Sequence, residues 1–285
     1  MKSRTLINLG LLILVGVLTA LVLREPGKEA PPEPERLTAL NPAEIRQVRI
    51  ERVGQEMVAA ERGEDGEWRL TAPRGLPANG HRLDALLKVA EAATRSRFPV
   101  ESNLEAYGLS EPRVRLQLDD VTLTFGDTTP IDQHRYVRRG ETIYLVGDSW
   151  FYHLIGDIGT FASHRLLPDA ADLEAISLPG LNLRQRNGKW ETAPEAPDTS
   201  ADAVARLVDN WRHARAIEVK EWDAPLPEGE TIRVNLAGQA DPVEFIIASR
   251  EPQTVLARPA WRLTYHLPDS VAKGLFSLPE LPQER

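Results

Sequence analysis

GEWRLTAP, residues 66–73, is answered by GKWETAP, residues 188–194, with Trp190 standing 122 positions after Trp68. One shared Gly-x-Trp and Ala-Pro would mean little; the text after each copy decides the reading. In ANGHRLDALLKVAEAATRSRF (78–98), Leu83, Leu86, Leu87, Ala90 and Ala93 keep the i, i+3, i+4, i+7 spacing of one helix face. In SADAVARLVDNWRHARAIEV (200–219), Val204, Leu207, Val208, Trp211 and Ala214 do the same 121 positions later. Asn79 and Thr199 or Ser200 are suitable N-caps, and Thr199-x-x-Asp202 has the capping-box spacing. Each copy reads as a strand ending in Trp, a proline turn, then an amphipathic helix.

The agreement runs on. VRLQL (114–118) alternates apolar and polar residues as a half-buried strand should, and so does IRVNL (232–236), 118 positions later. VTLTF (121–125) is matched by VEFII (243–247) at 122. TIYLVGDSWFYHL (142–154) is matched by LTYHLPDSVAKGL (263–275), pairing Tyr144, Asp148, Ser149 and Leu154 with Tyr265, Asp269, Ser270 and Leu275 at a constant 121. The chain therefore holds two copies of one unit, residues 41–164 and 165–285. Each unit starts with short strands, such as VRIERV from Val48 and LNLRQR from Leu181. A helix follows, then a meander of about four strands and a short terminal helix. That is an α+β fold of mainly antiparallel sheet with one main helix per unit. Units of this length bury their own cores, so the pair is a tandem of domains and not a solenoid. On this reading both tryptophans are packing residues, each covering the helix beside it.

At the N-terminus, residues 5–23 (TLINLGLLILVGVLTALVL) carry no charge. As a helix they would measure about 28 Å, enough to cross a bilayer core. Lys2 and Arg4 before the run favour a cytoplasmic stub, residues 1–4, and an exported remainder. A cleaved signal fits less well, since Leu18, Thr19 and Ala20 are a poor A-x-A and the run continues to Leu23. Residues 24–40 begin with the proline-rich REPGKEAPPEPER and read as an extended tether. Setting aside Lys2, Arg4 and Arg24, 31 basic residues face 42 acidic ones, a charge near −11. Such a surface argues against nucleic acid as a partner. With no cysteine there is neither a disulfide framework nor thiol chemistry.

Candidates for chemistry are few. Gly147-Asp148-Ser149-Trp150 looks like the GDS block of some serine esterases, which need a histidine and a carboxylate beside the serine. Its partner, Pro268-Asp269-Ser270-Val271, keeps only the Asp-Ser pair, so a helix cap explains both. None of His81, His134, His153, His164, His213 and His266 has the spacing of a helical metal pair, although His153 and His164 flank one loop. Asp119-Asp120 reads as a hairpin turn. HRYVRRG (134–140) reads as the solvent face of an edge strand, and the aromatic WFYHLIGDIGTF (150–161) as core or as a contact between units. No catalytic, cofactor-binding or metal-binding residue is assigned, and no enzyme activity or cofactor is expected.

A strand with Gly-x-Trp, then Ala-Pro, a helix, YGLSEP (107–112) and LTFG (123–126) resembles the bacterial domain-of-unknown-function 4340 family over essentially everything beyond the tether. The second copy departs from that pattern: EWDAPLPEG, from Glu221, lacks Tyr-Gly-Leu, and Ile246-Ile247-Ala248 stands where Phe-Gly would be. The resemblance implies a membrane-anchored envelope component, often associated with ABC transporter systems of the gliding-motility type, and carries no catalytic residues. The expected protein is a single-pass, non-enzymatic binding or bracing component of a bacterial inner membrane, its bulk periplasmic, its partner a membrane protein such as ABC transporter subunits. A periplasmic ligand-binding or hydrolytic module using the cleft between the units is the alternative, and a structural envelope scaffold a third reading.

Overall fold

The computed structural model describes residues 2–23, 35–73, 75–100, 103–195, 200–222, 225 and 227–278. The chain divides into two compact units, residues 1–35 and 36–285. The first holds helix α1 (Lys2–Leu23). The membrane span expected over residues 5–23 is not found: among the described residues no helix is long and apolar enough to cross a membrane.

The second unit opens earlier than expected. Residues 24–34 of the tether stretch lie outside the described residues, but Leu37 and Thr38 are buried in the folded body. Their backbone N–H groups donate to Ala92 (2.9 Å) and Ala90 (3.0 Å). The body therefore starts at Arg36, because an apolar residue among charged neighbours finds a core to enter.

Its first half runs β1 (Gln47–Arg52), β2 (Val58–Arg62), β3 (Trp68–Ala72), α2 (Gly80–Leu87), β4 (Thr94–Pro99), β5 (Val114–Leu118), β6 (Val121–Thr128), β7 (His134–Arg139), β8 (Thr142–Gly147) and α3 (Ile158–Phe161). The second half repeats it: β9 (Leu173–Leu178), β10 (Leu181–Arg186), β11 (Lys189–Ala193), α4 (Ala201–His213), β12 (Glu218–Glu221), β13 (Thr231–Leu236), β14 (Val243–Ser249), β15 (Val255–Arg258), β16 (Leu263–His266) and α5 (Asp269–Ala272). Two eight-stranded antiparallel sheets result, ordered β3-β2-β1-β5-β6-β7-β8-β4 and β11-β10-β9-β13-β14-β15-β16-β12. Adding eight to each strand number of the first yields the second.

The periodicities explain the elements. β5 buries Val114, Leu116 and Leu118 and exposes the residues between them. α4 buries Val204, Leu207, Val208 and Trp211, the face read from the sequence, behind an N-cap in which the Ser200 hydroxyl accepts from Ala203 N–H at 3.1 Å. Thr199 lies outside the described residues. In the first repeat Asn79 caps α2 in the same way. There the expected face fails at Ala93, which is exposed while Ala92 is buried. Residues 88–91 tighten into a 3-10 turn, and three residues per turn shift the phase.

Four further expectations are corrected. Trp68 opens β3 instead of ending a strand. The residues that follow each amphipathic helix pattern form strands of their own, β4 and β12. The β6–β14 match is at 120 and not 122: Val114 faces Phe125 as Ile232 faces Phe245, so the second copy does retain the phenylalanine, and the residue after it, Ile246, replaces Gly126. Finally, HRYVRRG is not an edge strand. β7 lies between β6 and β8, and Arg135 is buried, its guanidinium 3.7 Å above the Phe151 ring.

Candidate functional site: the cleft between the repeats

The segment joining the repeats is hydrogen-bonded into both. On the first-repeat side, Asn79 N–H donates to Phe161 and Ser163 N–H to Pro77, each at 2.7 Å. On the second, Leu166 N–H donates to Ala214 and Ala216 N–H to His164. α3 packs on the outer edge of β12 so closely that a Cβ at Gly159 would overlap the Val219 carbonyl. Asp157 caps α3 through Thr160 N–H and, with its other oxygen, accepts from Glu221 N–H at 2.8 Å. Arg52 reaches the Gly156 carbonyl and lies over Phe161. The aromatic segment thus fills the core with Leu154 and Phe161 and also makes the contact between repeats.

Beside this joint opens a cleft of about 570 Å³. One wall comes from the first repeat: Glu67, Trp68, His81 and Asp84. The other comes from the junction, with His164, and from the second repeat, with Arg165, Asp169 and Arg215. A neighbouring hollow of about 480 Å³ shares Trp68, Arg165 and Asp169 and is lined further by Leu70, Leu76, Leu167 and Pro168.

Most charges here are matched. Asp84 accepts from the Trp68 indole N–H at 3.1 Å and pairs with Arg62 at 2.5 Å, while that guanidinium covers the indole. Asp169 pairs with Arg165 at 2.6 Å. Among the described residues no acid pairs with the exposed Arg215. The His164 Nδ1 lies 3.2 Å from the Ala216 carbonyl. A carbonyl only accepts, so Nδ1 carries the proton and Nε2 is the acceptor when the ring is neutral. Burial lowers the His164 pKa, the Ala216 carbonyl works against that, and Arg215 adds to the lowering. The ring is therefore neutral near pH 7.

The residues singled out from sequence are dispersed. Ser149 is exposed, and Asp148 does not cap the turn that follows it; its carboxylate takes the Arg135 Nε at 2.6 Å. α5 likewise starts without a side-chain cap. The helix-cap reading of both Asp-Ser pairs is therefore wrong, because a buried guanidinium competes for the first carboxylate. His153 stacks near Trp150 and Tyr152 in the 148–153 turn and is not part of the cleft lining, whereas His164 is. His134 and His213 turn to the carbonyls of Asp132 and Asp209 on their own loop and helix. Asp119 forms the hairpin turn as expected, with φ 49°, and its carboxylate also receives Arg46 and Gln47 N–H. Among the described residues no group of three metal-ligating side chains forms. Asp84 and Arg215 are not singled out by the sequence, and His81 only as a histidine without metal-pair spacing; the one signal at 81 and 84 is that the repeat partners at 202 and 205 are Asp and Ala.

The two indoles do not share a cavity. Trp68 is 5% exposed and edges the cleft, while Trp190 lies against α4 beside Ala205 and Val208. The Ala-Pro bond after each, 72–73 and 193–194, is cis. The YGL and FG elements of the first repeat turn out to be one contact: a Cβ at Gly126 would overlap the Tyr107 carbonyl, and Gly108 sits at φ 64° against Asp127. In the second repeat Gly229 plays the close-approach part, against the Ile247 carbonyl.

A family model described as a domain of unknown function (DUF4340) matches residues 68–228, more than half of the chain. That stretch runs from β3 through β12 and takes in both walls of the cleft except Gly66 and Glu67. Neither the curated proteins nor the solved structures compared with the chain contain a match.

Proposed function

From the premise that this chain belongs to the DUF4340 family, we propose that it is a single-pass, membrane-anchored bracing protein of a bacterial envelope, without catalysis of its own. α1 is the anchor, with residues 1–4 cytoplasmic and the two repeats periplasmic. The partner is a membrane protein, with ABC transporter subunits as the specific expectation. The observation that supports a brace is the joint. Two like sheets are held together by backbone hydrogen bonds on both sides of residues 157–166 and by close contact of α3 with β12. Modules so joined present two surfaces in a set relation, as bracing demands. The uncharged run at 5–23, helical in backbone, supports the anchor.

The test is fractionation followed by affinity capture at native expression. The full chain should stay with membranes through alkaline carbonate washing and should co-purify with transporter membrane subunits from detergent. A chain lacking residues 1–23 should lose the first property. Recovery of the full chain in the wash, or capture without any membrane subunit, would end this proposal. The cleft favours a second reading, a ligand-binding module between repeats, since interdomain clefts are common ligand sites.

A further inference from the structure

The two repeats supply their own internal control. A side chain that the fold requires has a counterpart in the other copy; one that the cleft requires does not. Asn79 and Ser200 both cap helices, Ala92 and Ala214 both accept the incoming backbone, and Trp68 and Trp190 both pack on a helix. His81 stands at the helix position that Asp202 fills in α4. Arg215 stands where Ala93 does, each making an isolated bridge to the opening segment of its own repeat: Arg165 with Arg215, Arg36 with Ala93. The fold is thus built without a histidine at the first site or an arginine at the second. Both face the same cleft as His164.

Extending the cleft reading, we propose that this site binds a small ligand bearing an oxyanion, a carboxylate or a phosphate, through the guanidinium of Arg215 and the imidazole of His81, with His164 Nε2 accepting a hydrogen bond from the ligand. The ion pairs leave one guanidinium of the cleft lining open to a ligand. Asp84 and Asp169 are paired with Arg62 and Arg165, while Arg69 is held by Asp65 and acts on Glu67 only through its field. Arg215 is the cation left over, and a planar guanidinium suits carboxylate and phosphate oxygens. The neutral His164 ring adds an acceptor that a bare anion would not need, so the ligand carries a donor hydroxyl or amine as well.

The experiment is an NMR titration of the full chain in detergent micelles, following the histidine ring C–H signals, with inorganic phosphate and with malate, a hydroxylated dicarboxylate. At least one should shift the His81 and His164 signals saturably while leaving His134 and His213 in place. Arg215→Ala and His81→Asp, each installing the other repeat's residue, should weaken the response at least tenfold. Arg206→Ala, on the exposed face of α4 away from the cleft, should not. Absence of saturable shifts with both probes would overturn the proposal, as would Arg215→Ala responding like the parent. A folded Arg215→Ala, judged by an unchanged thermal midpoint, keeps the comparison valid, with Arg215→Gln as the milder check. Loss of binding here would leave the membrane-partner result untouched, so the two failures are distinguishable.

Discussion

Arg139 and Arg258 hold the same place in the two repeats and perform the same task. Arg139 donates to the Leu37 carbonyl and, at 2.6 Å, to the Tyr144 hydroxyl. Arg258 donates to the Leu166 carbonyl at 3.2 Å and lies beside Tyr265. Leu37 and Leu166 are the equivalent first core residues of each repeat, since their N–H groups go to Ala92 and Ala214. A guanidinium on the seventh strand therefore ties down the opening segment of each half. The basic stretch that reads as the solvent face of an edge strand is in part this tie.

The two ties differ in one atom's environment. The Tyr144 hydroxyl is bonded, whereas that of Tyr265 is buried without a partner in hydrogen-bond geometry. Tyr144→Phe should therefore cost about 1.5–3 kcal/mol, the range for a hydrogen bond to a charged group. Tyr265→Phe should be neutral or stabilising, because it removes a polar atom that burial leaves unsatisfied. Denaturant unfolding of the two variants checks the contrast, and equal losses would refute it.

Alkaline pH gives a second handle on Tyr265. Burial pushes its hydroxyl up to about 12, with the Arg258 cation pulling the other way. The folded value lies above the unfolded one near 10, so the favoured neutral form stabilises the fold fully below pH 10. That contribution is lost as pH rises from 10 to about 12. The parent should lose stability relative to Tyr265→Phe across that window and not below it. Absorbance at 295 nm should show one late-ionising tyrosine that the variant lacks.

Gly159 reports on the joint. Any Cβ there meets the Val219 carbonyl and the Lys220 backbone, neither of which can step aside. Gly159→Ala should cost about 1–3 kcal/mol as an overpacking change. Gly147 has open space and φ −56°, so Gly147→Ala should stay within about 0.5 kcal/mol. Thermal unfolding of both variants would decide it.

Gly126 and Gly229 test whether the YGL–FG contact has a second-repeat equivalent. Gly126→Ala drives a methyl into the Tyr107 carbonyl and Gly229→Ala into that of Ile247. Each should destabilise by about 1–3 kcal/mol, whereas Gly54→Ala, at positive φ but in open space, should show only the smaller backbone penalty. A Gly229→Ala variant as stable as the parent would mean that the loop simply moves away.

Surface chemistry follows what the neighbouring repeat covers. Val219 on β12 faces Tyr265 and is buried under α3, while its equivalent on β4, Arg97, faces Tyr144 and is exposed. The edge that receives a neighbour is apolar and the one that does not is charged, which keeps such an edge from pairing indiscriminately.

What the sequence alone determined was whatever repeats locally: the helix faces of α2 and α4, the alternation of β5 and β13, the Asn79 and Ser200 caps, the duplication itself. Burial periodicity and capping are short-range, so they leave their mark within a few consecutive letters. Tertiary structure decided the rest. β4 and β12 were invisible because a polar strand is defined by its pairing with β8 or β16 some fifty residues away. Arg139 and Arg258 escaped because hairpins of unlike length put them out of step with their tyrosines, and because their target is a carbonyl and not a letter. Of the cleft, His164 was noticed but matched with the wrong histidine. His81 and Arg215 converge on it only when α3 docks on β12, a contact between surfaces far apart in the chain that no local pattern encodes.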